Sequence, residues 1–286
     1  MKLEADLRPG AVLTEDLDYG TRDFERITEM LHRISGIRMP PSNEALVFSR
    51  LSRRVRGLGL NRFADYVAHV ESPSHQAERD AMVSALTTNT TRFFREDYHY
   101  DTLASEVLPR LIDAARAGGR VRLWSAACSS GEEAFSMAAV LLREFPDAAR
   151  HDVRILATDI CREALAAAEK AEYPEASAES VPNSLMERMF EPAGPERLRI
   201  RRELRDLVTV RYMNFMEPWP VSGPFDAIFC RNVMIYMEDQ TQAMVWASLA
   251  SVMPPGGYLF IGHSERIGPE FKDQLQLVGK TTFRRL

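Results

Sequence analysis

From Asp23 to Leu111 apolar side chains recur with a helical period; beyond residue 120 they gather into short unbroken runs. Phe24, Ile27, Leu31 and Ile34 form one stripe, which Gly36 ends. Val47, Leu51 and Val55 form a second, closed by Gly57 and Gly59. Phe63, Tyr66, Val67 and Val70 predict a third short helix, broken at Ser72-Pro73-Ser74. A fourth runs from about Glu78 to Leu86, and Tyr100 to Ala115 is helical again. No strand is predicted in this region.

The pattern changes at Gly118-Gly119. Arg122 to Ala126, Val153 to Ala157, Val208 to Tyr212, Ala227 to Cys230 and Gly257 to Gly262 read as strands, and Lys280 to Arg285 closes the chain. Helices are predicted over Gly131 to Phe145, Cys161 to Lys170 and about Asp239 to Val252. Strands alternating with helices, without strict in-out alternation, predict an α/β fold with a mostly parallel sheet buried on both faces. Between Tyr173 and Leu207 the alternation lapses among Pro174, Pro182, Pro192 and Pro195, with one short strand expected near Leu198 to Arg201. That stretch is either a small inserted subdomain or a meandering surface connection. The expected organisation is a flexible lead-in over 1–20, a helical domain over 21–90, a linker and connecting helix over 91–116, and a sheet domain over 117–286 with its insert at about 173–207.

The 286 residues are 45% hydrophobic and 27% charged, an ordinary globular balance. No run approaches the roughly 20 apolar residues that cross a bilayer, and the acidic opening Met1 to Asp6 does not resemble a signal peptide. A cytoplasmic protein with no membrane insertion is expected. Cys128, Cys161 and Cys230 form no CxxC pair, and neither they nor the six histidines show metal-ligand spacing, so no metal is expected. The net charge of −5 argues against nucleic acid. Against it, Arg50 to Arg62 holds five arginines and no acid, which suggests a specific acidic partner.

Ligands of open α/β sheets bind outside the carboxyl ends of the strands, so the residues after each strand carry the candidate chemistry. After the first comes Ser125 to Glu133, small residues leading into a helix N-terminus. After the second comes Asp159, placed to accept ribose hydroxyls, to cap the next helix, or to do both. After the third come Asn214 and Phe215, an amide beside an aromatic, suited to an adenine edge. After the fourth come Arg231 and Asn232, read as site residues or, for Asn232, a turn. Four strand ends suited to a nucleoside reinforce one another.

The segments LTTNTTRFFRE (Leu86 to Glu96), WSAACSSGEEAFS (Trp124 to Ser136), ATDI (Ala157 to Ile160), FDAIFCRNVMIYM (Phe225 to Met237) and GGYLFIGHSE (Gly256 to Glu265) occur in that order. Together they resemble the CheR family of S-adenosylmethionine-dependent chemotaxis receptor glutamate methyltransferases, over the chain from about Phe24 onward. Ala127, Ser130, Ala134 and Phe135 stand where that family often has Gly, Thr, Pro and Tyr, which removes no polar contact assigned here. The resemblance implies a Rossmann-like class I methyltransferase domain, an N-terminal all-helical domain and a small β-subdomain in the insert. It implies S-adenosylmethionine as cofactor, S-adenosylhomocysteine as product, and glutamate methyl esters on chemoreceptors. It assigns Asn89, Thr91 and Arg95 to closing over the cofactor, Glu133 to its amino group, Asp159 to its ribose, and Asn214 and Phe215 to its adenine. Arg231, Asn232, Val233 and Tyr236 then line the reacting centre.

A glutamate carboxylate, with a reference pKa of about 4.3, needs no general base at neutral pH. Catalysis is then expected from alignment, with Arg95 fixing the cofactor carboxylate or the incoming glutamate and Tyr236 aiming the attacking oxygen. His263 is expected to be structural. The resemblance also gives the arginine helix a partner: Arg50, Arg53 and Arg54, on one face, would dock the glutamate-rich helical bundle of the receptor, unless they form a merely solvated surface. A receptor tethering peptide would bind the insert. Methyl transfer to another protein or small acid, or cofactor sensing without catalysis, are the alternatives.

Overall fold

The structure is a computed structural model, and it describes residues 17–286. The expected lead-in therefore lies outside the described residues except at its end. There Leu17 is buried, Asp18 bridges to Arg62, and Tyr19 packs against Phe48 and Phe63 with ring centroids 5.3 and 4.5 Å away.

Four helices follow: α1 (Thr21–Ser35), α2 (Glu44–Gly57), α3 (Phe63–Glu71) and α4 (Gln76–Leu86). Each carries an apolar stripe too narrow to be buried alone, and the stripes meet in one core. Phe24, Ile27, Leu31, Val47, Leu51, Val55, Phe63, Tyr66, Val67 and Val70, periodic positions of the sequence, are buried in it, and Ile34, the last of the α1 stripe, packs against it partly buried. Gly36 ends α1 in a left-handed conformation (φ 72°). A longer helix comes next, as α5 (Tyr98–Thr102), a π-helical turn over Leu103–Val107, and α6 (Leu108–Arg116). Pro109, the second residue of α6, has no amide proton to continue an α-helical ladder.

The sheet domain runs β1 (Val121–Ala126), α7 (Glu132–Glu144), β2 (Val153–Asp159) and α8 (Arg162–Lys170). The insert follows as β3 (Glu172–Pro174), α9 (Asn183–Met189), β4 (Phe190–Pro192), β5 (Arg197–Ile200) and α10 (Arg202–Arg205). The main sheet resumes with β6 (Val208–Tyr212), β7 (Ala227–Cys230), α11 (Asp239–Ser251), β8 (Tyr258–Ile261), β9 (Leu275–Gly279) and β10 (Thr282–Arg285). Seven strands lie in the order β6-β2-β1-β7-β8-β10-β9. The first five are parallel, and β10 and β9 are antiparallel. This is the Rossmann-like class I arrangement. Its chain order reverses between β1 and β7, where such sheets open a ligand crevice.

The insert is a three-stranded antiparallel sheet, β3-β5-β4, rather than a meandering connection. Phe93, Tyr173 and Phe190 hold it to the linker, with Phe93 edge-on to both rings at 5.0 and 5.3 Å. The strand β9 was not expected from the sequence. It pairs on one side only and leaves Leu277 62% exposed, so burial did not mark it.

The arginine face of α2 departs from expectation. Arg50 donates from Nη1 to the carbonyls of Leu86 (2.9 Å) and Thr87 (3.0 Å), capping the C-terminal end of α4. Arg54 donates from Nε and Nη2 to the two oxygens of Glu78, both at 2.8 Å, and Tyr66 Oη donates to the same carboxylate at 2.9 Å. Two of the three expected docking arginines are thus committed within the helical domain; Arg53 and Arg56 are the exposed ones.

The Arg54–Glu78 pair is 28% and 14% exposed, between a surface pair and a buried one. Arg54→Ala strands the carboxylate, and unfolding in urea should show a loss of about 1–3 kcal/mol.

Candidate cofactor site

Four strand ends and the linker line a cleft that the end of α1 roofs. Asn89, Thr91, Arg95, Glu133, Asp159, Asn214, Phe215, Arg231, Asn232, Val233 and Tyr236 all line it, although they are spread over nearly 150 residues. Among the described lining residues none is His, Cys or Lys.

The loop after β1 curls over the strand end. Ala127 (φ 70°), Ser129 (φ 51°) and Gly131 (φ 97°) are all left-handed, a geometry bought by three amides fixed from β2. Thr158 O accepts from Ala127 N and Cys128 N, both at 2.8 Å, and Asp159 Oδ2 accepts from Ser129 N at 2.7 Å. Asp159 Oδ1 accepts from Cys161 N at 2.8 Å; Cys161 itself is the N-cap of α8, so the carboxylate fixes the turn before that helix rather than capping it as expected. Burial pushes the Asp159 carboxyl up, against the pull of these amides. At Gly131 a Cβ would stand 2.9 Å from Ala168 Cβ and 3.1 Å from Tyr173 Oη, in addition to the unfavourable φ.

Arg231 lies at the centre, 5% exposed. Its Nη1 donates to Glu133 Oε2 at 3.1 Å, its Nη2 donates to the carbonyl of Arg95, and Glu96 Oε2 is 3.5 Å away. Glu133 Oε1 accepts from Ser125 Oγ at 2.7 Å, and burial raises its carboxyl despite Arg231. Burial would also raise Glu96. The Arg231 guanidinium and hydrogen bonds from His263 and Tyr98 outweigh it and hold that carboxyl at about 2. Burial, then the Arg231 charge, pushes His99 down to about 4.

Several expectations meet a different geometry. Asn214 Nδ2 donates to Ile34 O (2.8 Å) and Glu217 Oε1 (3.2 Å), and its Oδ1 accepts from Met216 N (3.0 Å). The first of these bonds joins the loop after β6 to the end of α1, and the second stays within that loop. Arg95 donates from Nη1 to Thr90 O at 3.1 Å and keeps its other donors. Asn89 donates to Thr87 Oγ1 and Cys161 Sγ, and its carbonyl accepts from Ser129 Oγ at 2.9 Å. His263 is exposed and pairs through Nδ1 with Glu96 Oε1 at 3.0 Å.

Glu96, His99 and Glu265 were not singled out in the sequence. Glu96 and Glu265 each close a quoted motif, and that was the available signal. Nothing local marks His99.

The fold and the cleft define a nucleoside-binding protein of the Rossmann-like class. Residues 89–284 match the model of the CheR methyltransferase, SAM binding domain, and residues 22–87 that of the CheR methyltransferase, all-alpha domain. The chain belongs to the CheR methyltransferase family. It is 43% identical to a probable chemotaxis protein methyltransferase of Rhizobium etli, over 89% of this chain and 96% of that protein. It is 40% identical to chemotaxis protein methyltransferase 2 of Pseudomonas aeruginosa, over 88% and 89%. With the chemotaxis protein methyltransferase of Escherichia coli the identity is 35%, over 95% and 93%. S-adenosylmethionine is accordingly the cofactor. The donor set suits it: Asp159 and Glu133 are acceptors for hydroxyls and an ammonium group, and Arg95 is a cation for a carboxylate.

Acid should weaken the fold in two windows. The His99 contribution is complete above the ordinary value of 6.5 and is lost as pH falls from there to about 4, because the unfolded chain takes up the proton first. That of Glu96 is complete above 4.5 and is lost as pH falls toward about 2. Urea unfolding at pH 7 and pH 5 should show the native protein losing on the order of 1 kcal/mol more than His99→Gln.

Proposed function

We propose that the protein methylates glutamate side chains of chemotaxis receptors, giving methyl esters. The observation that carries this reading is the cleft's lack of a neutral-pH base among its described residues. Its two buried carboxylates are held by Ser125, Arg231 and the amides of Ser129 and Cys161. An amine or alcohol acceptor would have to lose a proton there; a glutamate carboxylate is already the nucleophile.

When bound, the cofactor supplies an electrophilic methyl group on a sulfonium centre. Asp159 would accept its ribose hydroxyls and Glu133 its ammonium group, and Phe215 would pack against its adenine. Asn89 and Thr91 close the cleft from the linker side, and Asn232 and Val233 wall the reacting centre. Arg231 holds Glu133 and the Arg95 carbonyl in place. The free donors of Arg95 fix a carboxylate, that of the cofactor or of the incoming glutamate. Tyr236 aims the attacking oxygen through a neutral phenol, which blunts its nucleophilicity less than a cation would. Alignment by such groups is worth several kcal/mol.

The acceptor is read as the acid-rich helical bundle of a receptor's cytoplasmic part, which places the enzyme in the cytoplasm. Arg53 and Arg56 are the exposed arginines of α2 left to meet it. The insert, open on the edges of β3 and β4, is suited to a receptor tethering peptide.

Receptor-bearing membranes incubated with the protein and methyl-labelled cofactor should gain base-labile label that maps to glutamates. Label that is wholly base-stable overturns the reading. Arg95→Ala and Asp159→Ala should each slow labelling at least about 10-fold, the scale of one lost charge-assisted bond; full turnover in both removes the residue roles. Arg53→Ala with Arg56→Ala should raise KM for the receptor, more so at low salt, with kcat unchanged.

A further inference from the structure

Three of the residues assigned to the reacting centre, Asn232, Val233 and Tyr236, sit on a short connection between β7 and α11. That connection has little regular structure, only one 3₁₀ turn over Met234–Tyr236. Asn232 is left-handed at φ 58°, a turn conformation that Asn tolerates better than most residues with a side chain. The backbone directly after it is held by a carboxylate outside the cleft. Glu265, 3% exposed, accepts from Val233 N and Met234 N through Oε1, both at 2.8 Å. Its Oε2 accepts from Gly262 N at 2.5 Å.

Glu265 reaches this place because the chain turns directly after β8, with Glu265 N donating to Gly262 O at 2.9 Å. Gly262 lets the two loops touch. A Cβ there would lie 2.6 Å from Asn232 Nδ2 and 2.8 Å from Asn232 N. The ends of β7 and β8 are thus joined by one carboxylate that takes three backbone amides, two of them from the connection that carries Asn232, Val233 and Tyr236 into the cleft. Unmade, those bonds would leave buried donors unpaired.

We propose that Glu265 is a positioning residue of the cofactor cleft, which holds the Asn232–Met234 backbone in the conformation that receives the cofactor. Glu265 does not itself line the cleft; it acts through Val233 and Met234. The inference rests on the cofactor site and not on the identity of the methyl acceptor. It concerns the held backbone, so it is read without turnover.

Glu265→Gln keeps the size and replaces one acceptor oxygen with an NH2 that cannot accept from a backbone amide. The control is Glu78→Gln, which weakens the helical domain away from the cleft and lowers stability without touching this loop. Calorimetric titration with S-adenosylhomocysteine should give a Kd raised at least fivefold in Glu265→Gln and unchanged in Glu78→Gln. Amide hydrogen exchange of the free protein should quicken at Val233, Met234 and Gly262 in the first variant alone. A Kd change below fivefold in Glu265→Gln overturns the proposal, whatever its thermal stability, because a structural role alone would lower Tm as Glu78→Gln does. If Glu265→Gln does not accumulate folded, Glu265→Asp, which keeps the charge and shortens the reach, is held to the same threshold. A native protein that binds S-adenosylhomocysteine yet esterifies no receptor would remove the glutamate reading and leave this one standing.

Discussion

A guanidinium buried to the extent of Arg231 costs several kcal/mol in lost hydration unless carboxylates and carbonyls replace the water. The chain supplies Glu133 from the first turn of α7, Glu96 from the linker, and the carbonyl of Arg95. Those partners lie 98 and about 135 residues away in sequence, so satisfying one side chain fixes three separate segments. The end of β7 is pinned to the start of α7, and the linker is drawn across the strand ends. Asn89, Thr91 and Arg95 reach the cleft because of it. Glu96 then links the same cluster to Tyr98, which donates from Oη at 3.0 Å, and to His263 beyond β8.

The helical domain closes the cleft through a second set of contacts. Asn214 holds the Ile34 carbonyl, Arg38 N donates to Tyr236 O at 2.8 Å, and Ile37 bridges Met237. On the other flank Arg162 donates to Asp80 at 2.8 Å while its guanidinium lies 4.1 Å from the Tyr212 ring centroid. The cofactor cleft is therefore walled by the sheet and roofed by helices. Such a site excludes water from a reaction that depends on alignment and on the strength of a few charged contacts. It also explains why the arginines of α2 divide their labour. Arg50 and Arg54 stabilise the roof, and only the outward positions remain for a partner.

The helix stripes and the buried strands were legible because burial writes a period into the sequence, 3.6 for one and an unbroken apolar run for the other. Ile27, Leu51 and Val67 are fully buried where the stripe placed them, as are Ile155 and Phe229 in the sheet. The edge strand β9 escaped because an edge needs little burial. The site was legible as a set of types at strand ends. Asp159, Arg231 and Asn232 are polar residues where an apolar strand stops, and that contradiction is local. Family motifs added the linker residues, which no local rule connects to the sheet.

What the sequence by itself determined is the order of elements, the sheet class and the chemical types gathered at one end of it. Those follow from local periodicity and from the topology of right-handed crossovers. Only the tertiary structure decided how each polar group is spent. Asn214 is committed to a carbonyl of α1, Arg54 to Glu78, and Glu265 to three amides, because a hydrogen bond depends on distance in space between residues that the sequence leaves far apart. A side chain's type announces what it can bind. Its neighbours determine whether that capacity remains free for a ligand.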